Sequence, residues 1–238
     1  MSLPKIEAPT YELILPSSNR KIRYRPFLVK EEKILVIAME SENMEDITRA
    51  VKQVLSNCIL TRGIKIEKLS SFDIEYLFLN IRGKSVGETV EVLLTCPDDG
   101  ETKVTVNIAL SDIEVQRDPD HNNIIKLNDE YSMKMRYPSF DEFVQENFSS
   151  SAEEIEGSFE MIAKCVEQVY NEEESWAGSD HSHKEMVEFV EGLGAAQFKS
   201  IEQFFMTMPK LSHTVKITNP NTGIESNVVI EGLASFFS

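Results

Sequence analysis

Lys21-Ile22-Arg23-Tyr24-Arg25-Pro26-Phe27 leads into the acidic pair Glu31-Glu32, and a similar succession returns as Met133-Lys134-Met135-Arg136-Tyr137-Pro138, leading into Phe140-Asp141-Glu142. Each is preceded by a short apolar run and a polar turn: Leu13-Ile14-Leu15 before the first, Ile125-Lys126-Leu127 before the second. The prolines Pro26 and Pro138 stand 112 positions apart, and the same displacement sets Leu15 on Leu127 and Ile47 on Phe159. A later pair, Thr95-Cys96-Pro97-Asp98-Asp99-Gly100 and Thr218-Asn219-Pro220-Asn221-Thr222-Gly223, is displaced by 123 and sets Leu110 on Leu233; Asn171–His183 can absorb the extra residues. The reading is an α+β chain of two similar halves made by internal duplication, each with short antiparallel hairpins and a helical cluster. The halves are residues 1–115 and the more acidic 116–238. Chance matching between two halves with Pro/Gly turns is the competing reading.

Local patterns fill in the elements. Tyr11–Leu15 and Lys21–Tyr24 flank Pro16-Ser17-Ser18-Asn19, turn residues that predict a hairpin. Pro26 lacks the N–H a ladder needs, and Glu31-Glu32 place negative charge in the first turn of a helix running to about Glu40. Ile47, Ala50, Val51, Val54, Leu55 and Cys58 recur at helical spacing. A third helix follows the candidate caps Ser70-Ser71 and carries Phe72, Ile74, Leu77, Phe78 and Ile81. Val90, Val92 and Leu94 alternate with polar residues, as do Val104, Val106 and Ile108, which predicts a second hairpin across Cys96–Gly100. In the second half, Phe159, Ile162, Ala163, Val166 and Val169 read as one helical stripe and Ala195–Met206 as another helix. Val215 and Ile217 are expected to pair with Val228 and Ile230. Asp112–Asn123 is the expected boundary and Asn171–His183 the expected mobile loop. Trp176 within that loop either marks an interface or folds back on the helices.

The 238 residues carry 24 Lys+Arg and 40 Asp+Glu, a formal charge of −16. Such a surface repels phosphate backbones and anionic lipid, so neither nucleic acid nor membrane is an expected partner. Cutting after Pro119 leaves 16 basic and 19 acidic residues before the cut and 8 and 21 after it. The basic stretch Arg20, Lys21, Arg23, Arg25, Lys30, Lys33 lies in the first part. Three dispersed cysteines argue against a disulfide framework. Met1–Thr10 has two prolines and no apolar core, unlike a secretory leader, and the apolar run Ile34–Met39 falls far short of the roughly 20 residues of a membrane span. A soluble intracellular chain is expected.

Chemical signatures are few. Gly83-Lys84-Ser85 resembles the end of a phosphate loop, but Phe78 stands where the motif needs glycine. Asp180, His181 and His183 offer no four-ligand zinc set, and His121 and His213 have no evident partners. Cys96-Pro97-Asp98-Asp99-Gly100 looks like half of a zinc-ribbon knuckle without its second cysteine, and Asn219 holds the matching place in the other half. Gly83-Lys84-Ser85-Val86-Gly87 matches the letters of G-x-S-x-G, but the stretch before it reads as helix rather than as the strand that a nucleophile elbow needs. No metal, cofactor or catalytic residue is assigned.

Arg23-Tyr24-Arg25-Pro26-Phe27-Leu28-Val29-Lys30-Glu31-Glu32-Lys33-Ile34-Leu35 resembles the N-terminal signature of the small baseplate hub subunits of T-even-type contractile-tailed bacteriophages. Asp73-Ile74-Glu75-Tyr76-Leu77 with Arg82-Gly83-Lys84-Ser85-Val86-Gly87-Glu88 is similar to a second block of that family, and Glu231–Phe237 to a third. The resemblance implies a non-enzymatic structural subunit of the tail baseplate hub, assembled in the host cytoplasm and contacting other hub proteins. A transient assembly chaperone is the alternative, and a tail-associated hydrolase a more distant one. The family's paired cysteines near the hairpin turns are another implication, from which this sequence departs at Cys96 and Asn219. Arg23, Arg25, Pro26, Phe27, Lys30, Lys33 and Trp176 are the candidate partner-interface residues, because Arg and aromatic side chains anchor protein contacts. The competing reading puts Phe27 and Val29 in the core and pairs Arg25 with Glu31 or Glu32. A basic edge and an acidic half suit complementary docking to neighbours, or self-association.

Overall fold

Tyr11–Ile14 (β1) and Lys21–Tyr24 (β2) form the expected antiparallel hairpin, Leu13 opposite Ile22, in a computed structural model that describes residues 6–41, 43–142 and 154–232. Leu233, and with it the terminal block through Phe237, lies outside the described residues, as does Met1–Lys5. The hairpin buries Leu13, Leu15, Ile22 and Tyr24. Its turn is tied down by the Ser17 amide, which donates to Asp73 Oδ1 at 3.0 Å, and by the Ser17 hydroxyl, which donates to the same carboxylate. Asp73 is fully buried in the first turn of Ser71–Val86 (α3), the end of a helix that favours negative charge.

Between hairpin and α3 run Val29–Glu40 (α1) and Met44–Cys58 (α2). Asn43 caps α2, its side chain accepting the amides of Glu45 at 2.8 Å and Asp46 at 3.2 Å. Ala50, Val51, Val54, Leu55 and Cys58 are buried along it, as their spacing predicts. Helix α3 buries Phe72, Ile74, Leu77, Phe78, Leu79 and Ile81, so it is apolar on nearly every side and enclosed accordingly. Ser70 stands at its N-cap without a side-chain capping bond. Gly83-Lys84-Ser85 falls in the last turns of α3, where a β-carbon on Gly83 would come within 3.3 Å of Leu110.

The remaining elements are Thr89–Thr95 (β3), Lys103–Ala109 (β4), Glu114–Gln116 (β5), Ile124–Lys126 (β6), Ser132–Met135 (β7), Glu154–Cys165 (α4), Val166–Tyr170 (β8), Ser175–Ala177 (β9), His183–Glu191 (α5), Ala195–Thr207 (α6), Lys210–Thr218 (β10) and Glu225–Glu231 (β11). All pairings are antiparallel: β1-β2, β3-β4, β11-β10-β5 and β6-β7-β8-β9. The chain is thus mixed helix and sheet.

It divides into two compact units, Met1–Gln116 with Lys210–Ser238, and Arg117–Pro209. The first crossing falls within Asp112–Asn123. The division differs from halves at 1–115 and 116–238 because the last hairpin returns to the first unit. Strand β10 pairs with β5, Leu211 opposite Val115. Leu211, Val215, Ile217 and Ile230 join Leu79, Val90, Val92, Leu94 and Ile108 in one core. A lone hairpin cannot bury its apolar face, and the two hairpins that resemble each other in sequence share a single core. Val215 faces Val228 as expected, whereas Ile217 faces Ser226 and His213 faces Ile230.

The second unit packs β6–β9 with α4, α5 and α6 around Met133, Met135, Met161, Ile162, Cys165, Val166, Ile201 and Phe204. Two expectations change here. The helical stripe ends at Cys165, and Val166 and Val169 lie in β8, where they pair with Met135 and Met133. Pairing with β7 overrides the helical spacing, a choice β-branched residues accommodate. Asn171–His183 is not a structureless loop either. It holds the β8–β9 turn, strand β9, a 3-10 turn at Gly178–Asp180 and the start of α5. Asn171 Oδ1 accepts the amides of Glu173 at 2.9 Å and Glu174 at 2.6 Å. A β-carbon on Gly178 would sit 2.3 Å from the Val166 carbonyl oxygen, so only glycine permits that close approach.

Candidate partner-binding surfaces

The stretch from Arg23 to Lys33 divides between scaffold and surface. Arg25 belongs to the scaffold: its Nη2 donates to Glu31 Oε1 at 3.1 Å, and its Nη1 to Glu31 Oε2 at 3.4 Å and to the Pro26 carbonyl at 2.8 Å. The Leu28 amide donates to Glu31 Oε2 at 2.8 Å, and the Arg25 amide to the Cys58 carbonyl at 3.0 Å. Glu31 is fully buried. Burial opposes its charge, but the Arg25 guanidinium and the Leu28 amide outweigh that and hold its carboxyl below the usual carboxylate range. Pro26 is buried, and Phe27 is half-buried with its amide donating to Ser85 Oγ at 2.9 Å.

The second unit repeats this buckle bond for bond. Arg136 Nη2 donates to Glu142 Oε1 at 2.7 Å, and Nη1 to Glu142 Oε2 at 2.9 Å and to the Tyr137 carbonyl at 3.1 Å. The Ser139 amide donates to Glu142 Oε2 at 2.7 Å and the Arg136 amide to the Cys165 carbonyl at 2.8 Å. Burial again opposes the charge on Glu142, and Arg136 with the Ser139 amide brings its pKa down to about 2. Arg25 to Arg136 and Glu31 to Glu142 are both 111 positions, one fewer than the proline spacing. The matching landmark is therefore the arginine: the turn before Arg136 is a residue shorter, and Tyr137 stands between Arg136 and Pro138 where Arg25 and Pro26 are adjacent.

Arg23, Lys30 and Lys33 remain exposed. They adjoin a feature that spacing alone did not single out, the outer face of α1. Val29, Lys33, Val36, Ile37 and Glu40 share one side of the helix at i, i+4, i+7, i+8 and i+11. Val29 is 80% exposed, Val36 49% and Ile37 56%, with Leu28 and Met39 also exposed beside them. The signal was present in Val29-Lys30-Glu31-Glu32-Lys33-Ile34-Leu35-Val36-Ile37-Ala38-Met39-Glu40, which is apolar around its whole circumference. Only Ala38 of its apolar residues is fully buried.

The tips of the two long hairpins in the first unit meet. Asn219 is buried, and its Nδ2 donates to Asp98 Oδ1 at 3.1 Å, Asp98 Oδ2 at 3.0 Å and Asp99 Oδ2 at 2.8 Å. The Thr222 hydroxyl donates to Asp98 Oδ2 at 2.6 Å, and Asn221 Nδ2 to Thr102 Oγ1 at 2.9 Å. The two turns have the same backbone: Gly100 N donates to the Cys96 carbonyl at 2.9 Å and Gly223 N to the Asn219 carbonyl at 2.8 Å, with both glycines at positive φ, 70° and 75°. The Thr222 hydroxyl and Asn219 amide hold Asp98 below its ordinary value; the Thr102 hydroxyl and amide, then Asn219, do so for Asp99. Cys96 is fully buried, and burial pushes its thiol up, with Asp98 and Asp99 adding to the effect. A ribbon-type zinc centre draws two sulfurs from each knuckle. Here the two tips offer one thiol, and the carboxylates, amide and hydroxyl of the turns are already engaged with one another, a donor set that does not fit that metal.

Trp176, half-buried on β9, sits across from Val169 and 6.0 Å from the Tyr131 ring, so it folds back on its own unit. His181 and His183 are exposed, while His121 does have partners. Its Nδ1 lies 2.9 Å from Thr207 Oγ1 and its Nε2 3.0 Å from the Tyr137 hydroxyl. Thr207 donates its own proton to the Gln203 carbonyl, which makes Nδ1–H the donor and Nε2 the acceptor from Tyr137. Burial lowers the His121 pKa, and Asp118 opposes the shift. Residues 86 positions apart form this contact, beyond any local sequence signal.

No helix among the described residues is long and apolar enough to cross a membrane. No curated protein and no solved structure matches the chain. A family model described as T4 bacteriophage base plate protein matches residues 8–238, and by that match over nearly its whole length the chain belongs to the T4-type phage baseplate family.

Proposed function

We propose that this baseplate protein is a structural subunit of the baseplate hub, built on a duplicated plan and acting through protein–protein contacts without catalysis. The observation that carries the reading is the outer face of α1, where Val29, Val36 and Ile37 stand exposed on the same side as Lys33 and Glu40 on a member of a baseplate family. Exposed apolar side chains interspersed with charged ones are what a docking face needs. The strongly lowered carboxyls Glu142 and Asp99 fit a non-catalytic role, since an ion pair and a turn network account for them. The twin Arg–Glu buckles support the duplicated plan.

Val36→Glu with Ile37→Glu changes only exposed positions, so the fold is expected to survive while co-purification with other baseplate proteins is lost. Mass spectrometry of purified particles should detect the wild-type chain and miss the double variant. A wild-type chain that binds baseplate partners yet is absent from finished particles would make it a transient chaperone, overturning the structural role.

A further inference from the structure

The second unit carries a cavity of about 500 Å³ between the β6–β9 sheet and the turn joining α5 to α6. Its walls are largely apolar, with Leu127, Tyr131, Trp176, Met186, Phe189 and Leu193 among them beside Asn128. The volume lies within the roughly 300–1,000 Å³ of sites that enclose organic groups. Val169 and Trp176 are directly opposed on β8 and β9 and present the same face to it, with the Tyr131 ring tilted 42° against the indole. The far wall is a turn with Gly192 and Gly194, fastened to the sheet by Gln197 Nε2, which donates to the Leu127 carbonyl at 2.8 Å. The site is therefore built from fixed elements rather than from a loose loop.

Charge at the mouth narrows the choice of occupant. Glu185 and His181 are both exposed at the rim. The Glu185 carboxylate accepts the Ser182 hydroxyl at 2.7 Å and amide at 2.8 Å, bonds that keep it ionised, with His181 adding to the effect. The unit as a whole holds 7 basic and 20 acidic residues. An apolar cavity in so negative a field favours a ligand that is apolar at its tip and cationic on its flanks. The Trp176 and Tyr131 faces would add attraction for the cations.

We propose that this cavity is a docking site for an apolar side chain presented on a Lys/Arg-flanked segment of a neighbouring polypeptide. The identification of that neighbour as a baseplate protein rests on the function proposed above; the cavity's preference does not.

Trp176 is the chain's one tryptophan, so its emission reports on this cavity alone. The full chain is titrated with three synthetic capped hexapeptides of sequence KKFLKK, EEFLEE and KKSSKK. The first is expected to shift Trp176 emission saturably and to bind roughly tenfold or more tightly than the other two. Leu193→Lys, which sets a cation at the apolar wall, should weaken that binding by about the same factor while leaving the far-ultraviolet circular dichroism unchanged. No saturable response to KKFLKK, an equal response to EEFLEE or KKSSKK, or unchanged binding by a folded Leu193→Lys would each overturn the proposal; if that variant does not fold, the peptide comparison on the wild-type chain decides. A Leu193→Lys chain that loses the probe yet still enters particles would sink the baseplate neighbour alone. Wild-type chain that binds the probe but never enters particles would sink the structural role alone.

Discussion

Glu31 and Glu32 are neighbours of the same type, yet only one is structural. Glu31 is enclosed with its carboxylate shared between Arg25 and the Leu28 amide, whereas Glu32 is only half-buried. Glu31→Ala is therefore expected to cost about 3–5 kcal/mol in urea unfolding, because Arg25 would be left without its partner, and Glu32→Ala to stay within about 1 kcal/mol. At Glu142 the ionised form is favoured in the folded chain, its pKa falling from an ordinary 4.5 to about 2. The unfolded chain then binds more protons between those values, so Glu142 stabilises fully above the ordinary range and its contribution, up to about 3 kcal/mol, is lost as pH falls toward 2. Melting followed from pH 6 to pH 2 should show that decline and show it flattened in Glu142→Gln. Sequence spacing suggested an Arg25 pair with either glutamate; the structure buries Glu31 against Arg25 and the Leu28 amide and leaves Glu32 half-buried.

At the scale of elements, the hairpins were legible because a period of two and a Pro/Gly connector are local properties. What each hairpin packs against was not. Asn219 reads as an ordinary turn residue, but the meeting of two tips makes it the donor between two carboxylates 120 and 121 positions away. Asn219→Ala should lower stability by about 1–3 kcal/mol, as loss of a buried donor to charged acceptors does. Melting of the wild-type chain with and without a chelator should give the same midpoint, since the tips are joined by hydrogen bonds. A fall of several degrees on chelation would show a metal holding them. The end of α4 and the start of β8 carry the complementary lesson: Val166 and Val169 satisfy a helical spacing and a strand equally, and pairing with Met135 and Met133 settles the matter.

Across the whole molecule, charge is divided by unit: 17 basic and 20 acidic residues in the first, 7 and 20 in the second. Association with baseplate partners is expected to slow as salt rises from about 0.05 M to 0.5 M, because screening shortens the range over which these fields act. Binding rates measured by stopped flow that do not change with salt would reject charge steering. The amino-acid sequence by itself determined the element types over most of the chain, the asymmetry of charge and the resemblance to baseplate proteins, because each is carried by residues close together or by composition. The tertiary structure alone decided that the last hairpin belongs with the first unit, that Arg25 is locked inward while α1 turns its apolar face outward, and that Trp176 lines a cavity. Those outcomes depend on which groups find each other in space, six positions apart for Arg25 and Glu31, up to 70 for the walls of the cavity and about a hundred for β5 and β10, and a one-dimensional pattern holds no record of that choice.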